Sequence, residues 1–236
     1  MRLELYYLDA REYIGDRELC DMLILNIPVT LAERCLSAGN DTLRAERAFA
    51  YSLLMHAIKK RGINTEKCNL LFTEHGKMYL KDGECRFSIS HDKGFVAVCV
   101  CDCEVGVDIQ AVDEDRAGTV KRLCKRFFDG VSVNSARLGP DFLADKNLTP
   151  SFFEVCFDTV RASFVERRAV FTKGADNSPY KKWCECEALV KLSGTGICAR
   201  GDMSELVSSA TVATSAVLLE FGEVAFLSVA IYNDLR

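Results

Sequence analysis

The sequence predicts an α+β fold, and three features of the order of segments carry that prediction. In the first half, a short strand-like segment and two helix-like segments precede a run of strand-like segments. A polar break at residues 113–115 then interrupts the strands. The second half begins again with a helix-like segment and closes with two strands. We therefore expect two halves, residues 1–112 and residues 113–236, each with helices packed on an antiparallel sheet.

The first half is expected to start with one strand and two helices. Residues 2–8 form a short strand-like segment. Residues 16–25 have the periodicity of an amphipathic helix. A longer helix is predicted over residues 41–60, where Asp41 can cap its beginning and Gly62 follows its end.

Four strand-like segments follow these helices, at residues 69–73, 86–90, 95–101 and 104–110. The segment at 95–101 is apolar at every position. A strand with this composition is buried on both faces, so we expect it at the centre of a sheet.

The second half has clear helix and strand signals only at its two ends. A helix is predicted over residues 114–128 and another over 183–192. Residues 129–180 contain many Phe and Arg residues and show few turn or helix signals. Two strands near 211–220 and 225–232 complete the chain.

Composition and charge indicate a globular protein and exclude some partners. Of the 236 residues, 49% are hydrophobic and 27% are charged, which are ordinary values for a packed domain. The formal charge of −4 argues against a broad surface for nucleic acid or anionic membranes. No apolar stretch has the length of a membrane span. A pocket for an anionic ligand remains compatible with this charge, because it needs only a few Lys and Arg side chains.

The 12 cysteines are expected to be reduced. The sequence begins without an apolar signal segment, and a chain of this size does not need disulfides to be stable. Cys99, Cys101 and Cys103 alternate along a predicted strand without a CxxC pair, so buried apolar cysteines are favoured over a zinc site. We therefore expect a cytoplasmic protein.

A polar strand at residues 105–110 is the first candidate for chemistry. Side chains alternate along a strand, so Asp108 and Gln110 share one face, and Gly106 leaves space on that face. A carboxylate beside an amide suits Mg²⁺ that carries phosphate ligands. The alternative is an ordinary solvent-facing Asp at a strand end, and the segment alone does not decide between them.

A helix face is the second candidate. Spacing of four residues places Trp183, Glu187 and Lys191 on one side of the predicted helix. A surface Glu–Lys pair is the simpler explanation for two of them. Trp183, the only tryptophan, favours a face held against the protein.

The third candidate is the segment Phe87-Ser88-Ile89-Ser90-His91, which ends a predicted strand. Ser90 and His91 can contact a phosphate, or they can form an ordinary turn.

In this order, the motifs resemble those of the 4′-phosphopantetheinyl transferase superfamily, in its larger, single-chain surfactin-synthetase type. The resemblance covers residues 44–196 and includes Arg44 in its helix. The matching motifs are Gly76-Lys77-Met78, Phe87-Ser88-Ile89-Ser90-His91, Gly106-Val107-Asp108-Ile109-Gln110, Arg126-Phe127-Phe128 and Trp183-Cys184-Glu185-Cys186-Glu187-Ala188-Leu189-Val190-Lys191.

The resemblance implies a pseudo-dimer of two similar halves, with the active site in the cleft between them. It implies an enzyme that transfers the 4′-phosphopantetheine arm of coenzyme A to a serine of an apo acyl, peptidyl or aryl carrier protein, releasing 3′,5′-adenosine bisphosphate. Asp108, Glu187 and Gln110 would hold Mg²⁺, and Lys191 would contact the diphosphate. Glu187 would also help to deprotonate the serine.

The remaining expectations from the resemblance concern the nucleotide and the assembly. The residues expected to bind the nucleotide and its phosphates are Arg44, Lys77, Ser90 and His91. An internal pseudo-dimer would make a monomer sufficient.

Some positions depart from the family pattern. Gln110 replaces an acidic residue, which predicts a weaker metal site. Cys186 replaces a lysine, so Cys186→Lys is expected to raise activity by restoring a phosphate contact. Residues 129–180 form an atypical insertion. These departures leave open a non-catalytic protein that binds coenzyme A or a carrier on the same scaffold.

Overall fold

The computed structural model describes residues 2–66, 68–137, 170–172, 178–197, 203–219 and 222–233. Most of the predicted insertion at 129–180 therefore lies outside the described residues. No helix within the described ranges is both long and apolar enough to span a membrane.

The described chain contains helices and strands in mixed order, and the α+β prediction is confirmed. The helices are α1 (Arg17–Leu25), α2 (Val29–Leu36), α3 (Asp41–Lys60), α4 (Glu114–Phe127), α5 (Pro179–Ser193) and α6 (Met203–Ser209). The strands are β1 (Leu3–Asp9), β2 (Leu70–Phe72), β3 (Met78–Leu80), β4 (Arg86–Asp92), β5 (Phe95–Cys101), β6 (Val105–Ala111), β7 (Ala136–Arg137), β8 (Val170–Thr172), β9 (Ala210–Leu219) and β10 (Gly222–Tyr232).

Two larger sheets share one strand order. The first sheet has the order β1–β5–β4, and the second sheet contains the order β6–β10–β9, and the neighbours within these two triplets pair antiparallel. In each, the first strand pairs with the last strand, which pairs with the one before it. Strands β7 and β8 add to β9, and β2 and β3 form a separate hairpin. The predicted boundary at residue 112 follows β6, whereas β6 pairs with β10 and so belongs to the second sheet.

The sheets pack face to face between two layers of helices. Strand β5 is central and buried at every position, as its composition predicted. Its residues Val96, Val98 and Val100 contact the core under α1 to α3. The alternate residues, such as Cys99, face the inner side of the second sheet, where Val107 lies. Helices α4 and α5 cover the outer face of the second sheet.

The observed helix ends agree only in part with those predicted from the sequence. Asp16 caps α1 by accepting a hydrogen bond from the Leu19 backbone N–H at 2.9 Å. The cap of α3 is Asn40 rather than Asp41, which lies in the first turn. Helix α2 was not predicted, and Pro28 is its N-cap residue.

Candidate functional site

The polar face of β6 meets β4 and α5 at a buried cluster of charged and hydroxyl groups. Asp108 is 1% exposed, and its Oδ1 atom accepts hydrogen bonds from Ser90 Oγ and Lys191 Nζ, each at 2.7 Å. Lys191 Nζ also donates to Ser90 Oγ at 2.8 Å. Three residues that sequence motifs placed on three separate elements therefore form one network.

Strand β4 holds this network in register through its alternate side chains. Ser88 Oγ accepts a hydrogen bond from the Val107 backbone N–H at 3.0 Å, and Asp92 Oδ2 accepts one from the Ala111 N–H at 2.9 Å. Ser90 lies between them, so three successive residues on one face of β4 bind to β6. Side chains on one face of β4 thereby join the first sheet to strand β6 of the second sheet at the cluster.

Gly106 allows α5 to approach β6 closely. A Cβ atom at this position would lie 1.9 Å from the Ala188 carbonyl oxygen and 2.5 Å from the Leu192 backbone nitrogen. The space above Gly106 that the sequence suggested for a ligand is therefore occupied by the backbone of α5. This contact brings Glu187 and Lys191 over Asp108.

Burial and the charges in the cluster shift the pKa values of both helix residues. Burial lowers the pKa of Lys191, but the negative charges of Asp108 and Glu187 outweigh burial and raise this pKa above its usual value. The ammonium is therefore retained in the cluster. Burial, and then the charge of Asp108, raise the pKa of Glu187 to about 7, although Lys191 opposes this shift. A carboxyl group with this pKa can accept a proton near neutral pH.

The stability of the protein should depend on Glu187 between about pH 4.5 and pH 7. Its folded-state pKa of about 7 exceeds the ordinary value of 4.5 for a glutamate, so the protonated form favours the folded state. That contribution is full below pH 4.5 and is lost as the pH rises through 7. The melting temperature of Glu187→Gln minus that of the wild type is therefore expected to increase as the pH rises from about 5 to about 8.

The matched control for that measurement is Glu205→Gln, since Glu205 is an exposed carboxylate on α6. Its melting temperature should follow the wild type at every pH. A constant difference between Glu187→Gln and the wild type would show that the pKa of Glu187 is not raised.

The cluster lies beside a cavity of about 440 Å³ between the two halves. Polar side chains from both halves line it, namely Arg34, Lys77, His91, Glu187 and Lys191. Phe72, Phe87 and Ile89 contribute apolar surface. Asp108 and Ser90 connect to the cavity through Lys191, to which both are hydrogen-bonded. A cavity lined by both cationic and aromatic side chains suits an anionic ligand that carries an aromatic base.

Two predicted phosphate-binding residues, Lys77 and His91, lie in the cavity wall. Lys77 Nζ donates to Glu104 Oε2 at 2.7 Å and to the Leu192 carbonyl oxygen at 3.0 Å, so it also connects the β2–β3 hairpin to the end of α5. His91 Nδ1 lies 3.0 Å from Glu46 Oε2. Both residues have partners within the protein and face the cavity.

Arginine placement differs from the sequence expectation. Arg44 forms an ion pair with Asp21 of α1, and the described lining of the cavity does not include it. Arg34 of α2 does line the cavity, with its guanidinium carbon 4.4 Å from the centre of the Phe72 ring. Arg34 was missed because α2 was not predicted. The role of Arg44 in nucleotide binding stays a prediction.

Cys186 lies on the buried side of α5. It is 0% exposed and belongs to an apolar cluster with Phe128 and Val190, against which Trp183 packs. Trp183 itself lies 5.3 Å from Phe128 between ring centres, so it holds α5 against the protein as expected. The expectation that Cys186→Lys would restore a phosphate contact is at odds with this position.

Cys186→Lys is accordingly expected to destabilise the protein, because it buries an ammonium group among apolar side chains. The loss should be about 3 kcal/mol or more in the free energy of unfolding, measured by urea denaturation. Cys186→Val is the control and should cost less than about 1.5 kcal/mol. A stable lysine variant with raised transfer activity would instead restore the original expectation.

The cluster contains oxygen atoms of the types that bind hard divalent cations. Asp108, Glu187 and Gln110 offer two carboxylates and an amide, and Gln110 Nε2 already donates to Asp108 Oδ2 at 3.2 Å. Among the described residues, no three His, Cys, Asp or Glu side chains are grouped as metal ligands. Magnesium sites often use one or two carboxylates together with substrate phosphates, so this donor set suits Mg²⁺ in the presence of a phosphate ligand.

Comparison with known proteins adds no assignment. Neither the protein-family models nor the curated proteins give a match to this chain.

Proposed function

We propose that this protein is a magnesium-dependent 4′-phosphopantetheinyl transferase, which modifies a carrier-protein serine with the arm of coenzyme A. The observation that supports this most is the Asp108–Ser90–Lys191 network, with Glu187 beside it at a cavity lined by cationic groups. Phosphoryl-type transfer depends mainly on positioning and on neutralising phosphate charge. The cluster offers both.

The proposal includes a pseudo-dimer with its active site in the cleft. The shared order of strands in the two sheets supports this arrangement. So does the cavity, whose lining comes from β4 and the β2–β3 region on one side and from α5 on the other.

Each residue has a chemical role in the proposal. Lys191 neutralises the diphosphate of coenzyme A, since its ammonium is retained by two neighbouring carboxylates. Lys77, His91 and Ser90 bind the nucleotide and its phosphates. Glu187, a carboxylate that lines the cavity, accepts the proton of the carrier serine.

The bond changes are balanced by these roles. The serine oxygen attacks the phosphorus that bears the pantetheine arm, and the bond from that phosphorus to the adenosine bisphosphate breaks. Mg²⁺, held by Asp108, Glu187 and Gln110, would supply charge neutralisation at the diphosphate.

The proposed partners are coenzyme A and an acyl, peptidyl or aryl carrier protein, and the enzyme is proposed to act as a cytoplasmic monomer. The alternative is a non-catalytic protein that binds coenzyme A. One observation favours it: both oxygens of Asp108 already have partners, with Lys191 at Oδ1 and Gln110 at Oδ2. That occupancy leaves less of the carboxylate for a metal.

Intact-protein mass spectrometry separates these two functions. Apo carrier proteins of several classes are incubated with this protein, coenzyme A and Mg²⁺, with and without EDTA. A phosphopantetheine mass gain that EDTA abolishes supports the transferase. Coenzyme A binding by calorimetry without any mass gain supports the binding protein. If no carrier gains mass and coenzyme A does not bind, both functions are refuted.

A further inference from the structure

Glu46 is a buried carboxylate on the apolar side of α3. It is 7% exposed, and nearly every residue from Ala45 to Ile58 on this helix is buried, most of them apolar. A carboxylate in such a position is costly unless it is hydrogen-bonded. Both of its oxygens do have partners, and both partners belong to the β4–β5 hairpin.

The two contacts connect α3 to the wall of the cavity. Glu46 Oε1 accepts a hydrogen bond from the Gly94 backbone N–H at 2.9 Å, and Oε2 lies 3.0 Å from His91 Nδ1. His91 lines the cavity. Since Nδ1 is hydrogen-bonded to Glu46, Nε2 is the ring nitrogen that can bind a ligand.

The hairpin turn fixes the carboxylate firmly. Lys93 and Gly94 have φ angles of 49° and 83°, which is the backbone of a two-residue turn between paired strands. The Gly94 N–H is therefore rigidly aimed at Glu46. Because Gly94 holds Oε1 of Glu46, the position of Oε2 is fixed as well. Oε2 in turn orients the His91 ring through Nδ1.

The protonation of Glu46 determines which ring nitrogen carries the proton. Burial raises its pKa, but the hydrogen bonds from His91 and Gly94 outweigh burial, and the pKa lies below the usual value. An ionised carboxylate has only acceptor atoms, so Nδ1 must be the donor. A ring with Nδ1–H can bind a phosphate through Nε2 only after it takes a second proton.

We propose that Glu46 is a positioning residue that keeps a proton on His91 Nδ1, so that His91 meets a phosphate-bearing ligand as a doubly protonated ring. This inference rests on the proposed function for its ligand, coenzyme A. It goes beyond that function by assigning the second partner of His91 and its proton state.

A near-isosteric variant gives a sharp test. In Glu46→Gln the Gly94 N–H still requires an acceptor, so the amide oxygen stays there and the amide nitrogen turns to His91. That nitrogen is a donor, which forces Nδ1 to accept and moves the ring proton to Nε2. The variant keeps the size of the side chain and the turn contact, so the fold should be retained.

The protein contains three histidines, so ¹⁵N-histidine labelling and NMR resolve the tautomer directly. The spectra are recorded at about pH 8, above the ordinary imidazole pKa of about 6.5. His91→Gln assigns the signal. We expect Nδ1–H in the wild type, Nε2–H in Glu46→Gln, and protonation of both nitrogens when coenzyme A binds the wild type. Glu66→Gln, which changes an exposed carboxylate, should leave the His91 signal unchanged.

Calorimetry with coenzyme A provides the second measurement. Glu46→Gln should bind about tenfold more weakly, because a charge-assisted contact is replaced by a neutral one. In a His91→Gln background the same change should alter affinity by less than about twofold, since the effect passes through His91.

Each result bears on the inference separately from the proposed function. An Nε2–H ring in the wild type, or an unchanged tautomer and affinity in Glu46→Gln, would overturn the inference and leave the transferase proposal standing. A wild type that does not bind coenzyme A would refute the transferase proposal and the ligand part of the inference together. The tautomer in the free protein then still supports or overturns the proton placement.

Discussion

Replacing Gly106 with alanine is expected to displace α5 and to abolish transfer. The added Cβ would lie 1.9 Å from the Ala188 carbonyl oxygen, which is backbone and cannot turn aside. Helix α5 must therefore move by an ångström or more. We expect a loss of about 3 kcal/mol in the free energy of unfolding. Because a misplacement of this size costs about 100-fold in rate, transfer should fall at least that far.

Gly118→Ala is the matched control for that variant. Gly118 lies on the exposed side of α4, where an added Cβ would meet only Arg122 Nη1 at 3.9 Å. Alanine should stabilise this helix by about 0.5–1 kcal/mol and leave transfer unchanged. Urea denaturation and carrier modification are measured for both variants. If Gly106→Ala matched the wild type in both, α5 would not be packed on β6 as described.

Two substitutions of Asp108 should separate its structural role from its chemical role. Asp108→Ala leaves the Lys191 ammonium without its carboxylate and Ser90 without its acceptor. Breaking such a buried pair should cost on the order of 3 kcal/mol in the free energy of unfolding. Asp108→Asn keeps an acceptor for Ser90 and should cost less. Both should lower transfer at least 100-fold, since the carboxylate charge that Mg²⁺ requires is lost.

The control for Asp108 is Asp82→Asn, which removes an exposed carboxylate in the turn after β3. Stability and transfer should both be unchanged. A folded Asp108→Asn variant with near-native transfer would exclude Asp108 as a metal ligand. A stable Asp108→Ala variant would show that Lys191 does not depend on this carboxylate.

The structure gives Asp108 a role in stability that the sequence alone did not indicate. The sequence left two interpretations of Asp108, a magnesium ligand or an ordinary solvent-facing Asp at a strand end. Burial to 1% exposure and the ion pair with Lys191 make it structural as well. The burial of Asp108 depends on the helix that packs above its strand. The strand segment at residues 105–110 carries no information about that helix.

Glu46, which lies outside every motif, also has a role that could not be predicted from the sequence. Its partners, His91 and Gly94, lie 45 and 48 positions away. Only the approach of α3 to the β4–β5 hairpin brings them together, so the sequence offered no signal for the contact itself.

The sequence by itself determined the α+β class, most helix and strand positions, and the candidates Asp108, Glu187, Lys191, Ser90, His91 and Lys77. It could do so because periodicity, capping and the chemistry of side chains are local properties of the chain. The tertiary structure decided that β6 joins the second sheet, that Gly106 faces a helix, that Cys186 is buried and that Arg34 rather than Arg44 lines the cavity. Each of these depends on contacts between segments far apart in sequence, where packing overrides local preference.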